Sequence, residues 1–264
     1  MKRTVTWFLR LYVPCILLFV YAPVGSLTLM SFHEGRIQSF PVEQFSTKWY
    51  GEAWKNPQFR EGIAGSLKVG VAVMAISTIL GFLSAHVLCR VRPQRPLLYI
   101  AFVCLPCLMP LLLSGMALLM YYQRIRIAGS IWAIVLAHSC YCAPFAMGLI
   151  RNSYEGLNEE VEQAAVNLGT GRLAVILRVV LPQMWPAVAS AAAVSFLLSW
   201  DEFVMAWFVG GFTKTLPTVI YSSLGTSFDP SVNAVGVVAM AVSAFLLLCV
   251  FLMMVFFQRG RERA

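Results

Sequence analysis

Residues 66–89, SLKVGVAVMAISTILGFLSAHVLC, form an apolar stretch of 24 residues in which Lys68 is the one Lys, Arg, Asp or Glu. An α-helix rises about 1.5 Å per residue and the hydrocarbon core of a bilayer is about 30 Å thick, so about 20 apolar residues cross it. Apolar helices buried in soluble proteins are usually shorter. The stretch therefore predicts a membrane-spanning helix.

The composition of the whole chain agrees with this prediction. Of its 264 residues, 59% are hydrophobic and 12% are charged, and the mean hydropathy is +0.74. Soluble domains are about 45–50% apolar and about 25% charged. A soluble enzyme and a disordered chain are excluded on these grounds, and the odd number of cysteines, seven, does not fit a disulfide-stapled module.

Five more stretches have the length and composition of a membrane span. The six predicted spans are residues 11–31, 66–89, 97–122, 129–150, 187–211 and 235–257. The first follows basic residues and could be a signal peptide, but its run is longer than an h-region of about 7–15 residues and lacks a good cleavage site. We predict an all-α membrane protein with six transmembrane helices.

Basic residues cluster at one set of helix ends, which predicts the orientation. By our assignment, 12 of the 20 Lys and Arg residues lie there: Lys2, Arg3, Arg10, Arg90, Arg92, Arg95, Arg151, Arg172, Arg178, Arg259, Arg261 and Arg263. Cytoplasmic loops carry such an excess, so both termini are predicted to be cytoplasmic. The same rule explains the net charge of +8 without a nucleic-acid partner.

The predicted cytoplasmic segment 151–186 contains two short helical patterns. The first, Glu159–Gly169, begins with acidic residues, which favour a helix N-terminus, and ends at a glycine. The second, Arg172–Val180, is amphipathic and is predicted to end at Leu181-Pro182. Such a helix pair either meets another protein or packs on its own spans.

This segment resembles the "EAA" loop of permease subunits of bacterial ABC importers. The matching residues are Gln163, Ala164, Ala165, Leu168, Gly169, Leu181 and Pro182. Gln163 stands where that family has Glu, and Glu162 precedes it. The resemblance implies that the loop forms a coupling helix that docks on an ATPase subunit. A salt bridge made through the family's Glu is either absent here or replaced by a neutral hydrogen bond of Gln163.

The resemblance covers most of the chain, from about residue 45 to residue 257. Over this range the chain is similar in detail to the second permease of spermidine/putrescine importers. The motifs that carry it are Phe45-Ser-Thr-Lys-Trp49-Tyr50, Ser66-Leu-Lys-Val69, His138-x-x-x-Cys142-x-Pro144-Phe145, Ser199-Trp-Asp201-Glu202, Thr215-Leu-Pro217 and Asp229-Pro-x-x-Asn233-Ala234. It implies one permease domain over residues 1–264, with the type I importer fold, in the bacterial inner membrane. Relatives import other solutes, so an aminophosphonate or an opine-like compound is the alternative to a polyamine.

The resemblance also implies an assembly and a division of labour. The expected partners are a homologous second permease, two ATP-binding subunits, a periplasmic solute-binding protein and membrane lipid. ATP and Mg²⁺ would bind the ATPase subunits, so this chain is expected to bind no cofactor, to hold no catalytic residue and not to be an enzyme. Consistent with this, the sequence has no G-x-x-x-x-G-K-[ST] phosphate loop.

Asp201 and Glu202 are the only acids within the predicted spans. An ionised acid at such a depth costs at least about 2.5–3.5 kcal/mol, so it should face water, a partner or the bundle interior. The sequence places no Lys or Arg deep enough to pair with them. They form either a substrate path for a cationic solute or a brace at a subunit interface. Adjacent helical positions point about 100° apart, so one acid at most is expected to face the path.

A membrane thiol or metal protein is the alternative from a different class. Cys104 and Cys107, and His138, Cys140 and Cys142, supply the atom types that soft metals prefer. Free cysteine is also a common buried apolar residue, and His138 is more simply a hydrogen-bonded interior histidine. We therefore predict no metal site.

Overall fold

The computed structural model describes residues 2–37, 39–226 and 229–261, and this part of the chain is almost entirely helical. The helices are α1 (Lys2–Ser31), α2 (Lys48–Lys55), α3 (Pro57–His86), α4 (Pro96–Leu108), α5 (Leu111–Arg124), α6 (Ile131–Tyr154), α7 (Glu159–Asn167), α8 (Arg172–Val175), α9 (Leu181–Asp201), α10 (Val204–Val209), α11 (Leu216–Thr226) and α12 (Ser231–Arg261). Two π-helical turns, Val87–Val91 and Ile176–Val180, extend α3 and join α8 to α9.

The described residues group into two compact units. One unit comprises the chain up to Arg60 together with Val219–Val242, and the other comprises Glu61–Thr218 together with the chain from Ser243 onward. Every site described below lies within the second unit. The assignment of residues 1–264 to one permease domain stays a prediction.

Five helical segments are long and apolar enough to cross a membrane, and a sixth span is obtained by counting one bent pair. The five are Tyr12–Ser31, Pro57–Val91, Ile131–Tyr154, Arg172–Asp201 and Ser231–Leu252. The bent pair is Pro96–Leu108 with Leu111–Arg124. The predicted all-α fold with six spans is confirmed in this sense for the described residues, but three of the predicted spans need correction. The second span begins at Pro57, well before the predicted start at Ser66.

The predicted third span, residues 97–122, is not one helix. Its two halves, α4 and α5, meet at an angle of 92° at Met109-Pro110. Met109 is extended, with φ −87° and ψ 137°, as expected for a residue before proline, and Pro110 has no N–H to continue a helical ladder. Both halves are apolar, and for this reason hydropathy alone predicted a single continuous span.

The predicted fifth span, residues 187–211, begins too late and ends too late. The helix runs from Arg172 to Asp201, so the predicted helix end at Leu181-Pro182 is wrong. Proline has no N–H to donate to the backbone hydrogen bonds of a helix. The π-helical turn Ile176–Val180 precedes Pro182, and its wider hydrogen-bonding pattern lets the helix continue past the proline. Gln183 Nε2 donates to the carbonyl of Val179 at 3.0 Å there.

Helix α6 packs along α9 and forms the centre of the second unit. Its fully buried residues include Ile134 and Ile150, which belong to two separate apolar clusters along the helix. Helix α3 approaches α6 closely at Gly81, where an added Cβ would lie 2.6 Å from the Cβ of Ala146. This packing holds α9 and the chain that follows it against α6.

Candidate functional site

Helix α9 ends at Asp201, and the chain turns before α10 begins at Val204. Glu202 is extended, with φ −74° and ψ 118°. Its carboxylate accepts hydrogen bonds from the backbone N–H of Met205, at 3.0 and 3.1 Å, and of Ala206, at 3.2 Å. A carboxylate in this position satisfies the free N–H groups of a helix start. Glu202 therefore caps the short helix that follows it.

Glu202 is also paired with a histidine of α6. Its Oε2 lies 3.1 Å from Nε2 of His138, and the side chains are 5% and 1% exposed. The other ring nitrogen of His138, Nδ1, lies 2.9 Å from Oγ of Ser199. The prediction of a buried, hydrogen-bonded His138 is confirmed. The prediction concerned Lys and Arg, and the close neighbour of the Glu202 carboxylate is instead this histidine of α6.

Asp201 lies in a different environment although it adjoins Glu202 in sequence. It is exposed and lines a cavity of about 380 Å³. Ser243 Oγ of α12 donates to its Oδ1 at 3.3 Å. Glu202 also contributes to the wall, and the remaining lining residues are apolar or aromatic: Leu111, Tyr141, Leu197, Leu198, Phe203, Val204 and Leu247.

The cavity combines one accessible carboxylate with apolar walls. Among its described lining residues there is no Lys, Arg or His. Such a wall attracts a cation through the carboxylate and contacts a hydrocarbon segment through its apolar side chains. The two adjacent acids thus have separate geometries, one exposed to the cavity and one turned to His138.

A second arrangement of charged residues lies around α7. Arg90 Nε donates to both oxygens of Glu162 at 3.0 and 3.1 Å, and Nη2 donates to Oε1 at 2.5 Å. Arg90 Nη1 reaches Glu159 at 3.3 Å, and Arg92 also pairs with Glu159. The guanidinium of Arg90 stands 5.1 Å from the ring centre of Tyr154. These contacts fix α7 to the π-helical turn after α3.

The loop residues found in the sequence take two positions. Gln163, Ala164 and Leu168 are exposed on α7 and its end, and Ala165 is half-buried. Gly169 has φ +86°, the left-handed conformation in which glycine commonly ends a helix, as predicted. Leu181 and Pro182 lie in α9 instead. Sequence analysis missed Arg90 as the partner of the acidic turn, although its basic cluster marked the region.

The cysteine motifs do not form a metal site in the described part of the chain. No group of three or more His, Cys, Asp or Glu side chains there is placed to hold a metal ion. Cys107 Sγ donates instead to the backbone carbonyl of Tyr141 at 3.4 Å, and Cys142 is buried. Cys104 is half-buried and Cys140 is exposed.

Comparison with protein families gives one match over most of the chain. Residues 77–263 match the family described as "Binding-protein-dependent transport system inner membrane component". The matched range contains the Arg90 cluster, the α7 segment and the Asp201 cavity.

Three curated relatives are informative. The putrescine transport system permease protein PotI of Escherichia coli K12 is 30% identical over 226 residues, which are 83% of this chain and 80% of PotI. The spermidine/putrescine transport system permease protein PotC of the same strain is 27% identical over 88% of both chains. The osmoprotective compounds uptake permease protein GgtD of Synechocystis is 28% identical over 69% of this chain and 61% of GgtD.

Solved structures support the fold. A chain of a bacterial ABC transporter involved in the import of the acidic polysaccharide alginate superposes with a TM-score of 0.71 at 17% identity, with 96% of each chain covered. A chain of the MetNI methionine ABC transporter, in an inward-facing conformation, gives a TM-score of 0.57 at 17% identity over 73% of this chain and 91% of that chain. Solutes as different as these indicate that the fold does not set the charge of the solute.

Proposed function

The chain belongs to the family of binding-protein-dependent transport system inner membrane components, as a multi-pass permease subunit of a bacterial ABC importer and not an enzyme, and from that premise we propose that its solute is a polyamine such as putrescine or spermidine. The observation that carries the proposal is the exposed carboxylate of Asp201 in an apolar cavity. The putrescine and spermidine/putrescine transport systems to which PotI and PotC belong support the same solute class.

The chemistry of the cavity matches that class. A protonated polyamine combines ammonium groups, which pair with a carboxylate, with methylene chains, which pack on Leu, Tyr and Phe. An aminophosphonate carries an anionic group that would need Lys, Arg or several N–H donors, and no Lys or Arg stands among the described lining residues. In this proposal Asp201 contacts the solute, whereas Glu202 supports the local fold.

We assign the coupling role to α7 and its neighbours. Gln163, Ala164, Ala165, Leu168 and Gly169 would form the surface that meets an ATPase subunit. Leu181 and Pro182 would carry the movement into the helix that ends at Asp201. The exposure of Leu168, at 86%, supports a partner surface at this point, since a large apolar side chain gains free energy when it is covered.

The remaining partners follow from the family. The proposed complex contains a homologous second permease, two ATP-binding subunits that hold ATP and Mg²⁺, and a periplasmic solute-binding protein at the outer face. Both termini and α7 would lie in the cytoplasm, consistent with the basic residues at these ends.

Uptake measurements on the reconstituted complex test the proposed solute. The chain is purified with its partner subunits, placed in proteoliposomes with the solute-binding protein, and assayed with labelled putrescine. A hydrogen bond to a charged group contributes about 1.5–3 kcal/mol, so Asp201→Asn is expected to raise the KM for uptake roughly 10- to 100-fold. Asp201→Glu should recover part of the loss.

Glu61→Gln is the charge-matched control. Glu61 is exposed and pairs with Lys214 outside the cavity, so its loss should leave the KM within about twofold, as for most surface pairs. A fully assembled Asp201→Asn complex with an unchanged KM overturns the proposal. So does uptake by the unaltered complex that an aminophosphonate inhibits and putrescine does not.

A further inference from the structure

We propose that His138 and Glu202 are positioning residues that orient the Asp201 carboxylate, and that Glu202 does not contact the solute. This inference rests on the proposed function, because it concerns how the solute contact at Asp201 is held. It assigns different roles to two adjacent acids that the sequence alone does not separate.

The carboxylate of Glu202 is already occupied by the protein. An ionised carboxylate offers about four lone-pair directions. Two N–H groups use them, those of Met205 and Ala206 at 3.0 to 3.2 Å, and Nε2 of His138 lies 3.1 Å from Oε2. The side chain is 5% exposed, so a solute in the cavity has almost no access to it. Recruiting it as a ligand would uncap α10 and would take the carboxylate away from Nε2 of the buried His138.

His138 holds the chain on both sides of Asp201. One ring nitrogen lies 2.9 Å from Ser199 Oγ, two residues before Asp201, and the other lies 3.1 Å from the carboxylate of Glu202, the residue after it. The ring itself is held inside α6, where His138 is fully buried. The backbone at Asp201 is therefore fixed between two points that belong to a single rigid ring.

This arrangement determines where α9 stops. Without the cap from Glu202, the N–H groups of Met205 and Ala206 would have no acceptor and the chain would tend to continue the ladder of α9. Asp201 is the last residue of α9, so a continued helix would turn the residues after it by about 100° per position and close the break beside which Asp201 lies. The contacts of Glu202 thus maintain the break between α9 and α10, and Asp201 faces the cavity at this break.

The test measures how variants combine in putrescine uptake by the complete reconstituted complex. Glu202→Gln removes the negative charge that accepts from the N–H groups of Met205 and Ala206, and we expect it to raise the KM about fivefold because hydrogen bonds to a charged group are weakened. Ser199→Ala removes only the hydroxyl that holds Nδ1 of His138, and we expect a rise of about twofold. Ser195→Ala is the matched control, since Ser195 is a buried serine of the same helix and its KM should not change.

The decisive measurement repeats these variants in chains that also carry Asp201→Asn. If Glu202 acts through Asp201, then Glu202→Gln and Ser199→Ala change the KM by less than twofold in that background. A direct solute ligand would instead show the same fivefold increase in both backgrounds, which overturns the positioning role. A purely structural role would lower the amount of assembled complex and the maximal rate at constant KM, and that result also overturns it.

Failure of this inference is distinguishable from failure of the proposed solute. The proposed function fails when Asp201→Asn alone leaves the KM unchanged. The positioning role fails when Asp201→Asn acts as expected but the effect of Glu202→Gln is independent of it. Glu202→Asp, which keeps the charge on a shorter side chain, provides a second variant if Glu202→Gln does not assemble, with the same expected dependence on Asp201.

Discussion

Arg90 and Glu162 form a two-pronged ion pair, with Nε 3.0 Å and Nη2 2.5 Å from the same carboxylate oxygen, Oε1. The two side chains are 14% and 16% exposed. The pair joins the end of one membrane-spanning helix to the acidic first turn of α7. Glu162, the residue before Gln163, therefore makes a salt bridge within this chain, and the two alternatives for Gln163 itself stay predictions.

Loss of this pair is expected to uncouple ATP hydrolysis from uptake. Glu162→Gln removes the charged acceptor and weakens the attachment of α7 by about 1.5–3 kcal/mol. The measurement is the number of solute molecules imported per ATP hydrolysed in proteoliposomes, which should fall. Glu155→Gln breaks the exposed pair with Arg151, worth about 0–1 kcal/mol, and should leave the ratio unchanged. Equal effects of both variants would contradict the prediction.

Restoring the family's acid at position 163 is expected to change little. Gln163 is exposed, and the guanidinium of Arg90 is already engaged by Glu162 and Glu159. Gln163→Glu therefore adds an exposed charge, whose effect on stability is within about 0.5 kcal/mol. Uptake and ATP hydrolysis should stay within about twofold of the unaltered complex. A large gain in either rate would contradict this expectation.

The close approach of α3 to α6 predicts a cost for any side chain at Gly81. Gly81→Ala would place its Cβ 2.6 Å from the Cβ of Ala146 and 2.7 Å from the backbone N of Met147. Overpacking of this kind costs about 1–3 kcal/mol, so the thermal midpoint of the purified complex should fall.

Gly148 of α6 gives the matched control for this packing. An added Cβ there meets nothing within 4 Å. Gly148→Ala should therefore raise helix stability by about 0.5–1 kcal/mol, because alanine loses less backbone freedom than glycine. Thermal unfolding of both variants in one detergent decides the matter, and a Gly81→Ala protein as stable as Gly148→Ala would contradict the packing.

Removing the exposed leucine after α7 is expected to weaken the attachment of the ATPase subunit. Burying a leucine contributes about 1.5–3 kcal/mol, so Leu168→Ser should reduce the affinity by roughly tenfold or more. The measurement is the fraction of ATPase subunit that stays bound to the chain during dilution. Phe212, which is 99% exposed after α10, serves as the control, and Phe212→Ser should not alter retention. Equal losses would place the docking surface elsewhere.

The sequence predicted the apolar spans well because the bilayer imposes a length and a composition on each of them. It predicted the end of α7 at Gly169 for a similarly local reason. It did not predict the bend at Met109-Pro110. Both halves of that span are apolar, and hydropathy does not report the angle between two consecutive helices. Pro110 was the available signal, and its effect on Met109 is the physical cause of the bend.

The different roles of Asp201 and Glu202 depend on tertiary contacts. His138 is 64 residues before Glu202 in the chain, and only the packing of α6 on α9 brings them together. The angle between adjacent helical positions does not explain why the two acids diverge, because α9 ends at Asp201 and Glu202 is extended; Glu202 is buried beside His138 instead. Likewise, Pro182 favoured a helix end in the sequence, but the π-helical turn at Ile176–Val180 allows the helix to continue through the proline.

The uninterrupted helix from Arg172 to Asp201 can convert a small tilt at one end into a large displacement at the other. Its 30 residues correspond to about 45 Å, so a tilt of about 10° about the Arg172 end displaces the Asp201 end by about 8 Å. A hydrogen bond is lost within a far smaller displacement. In the proposed function, a modest swing driven from the α7 side would then be sufficient to separate Asp201 from a bound ammonium group.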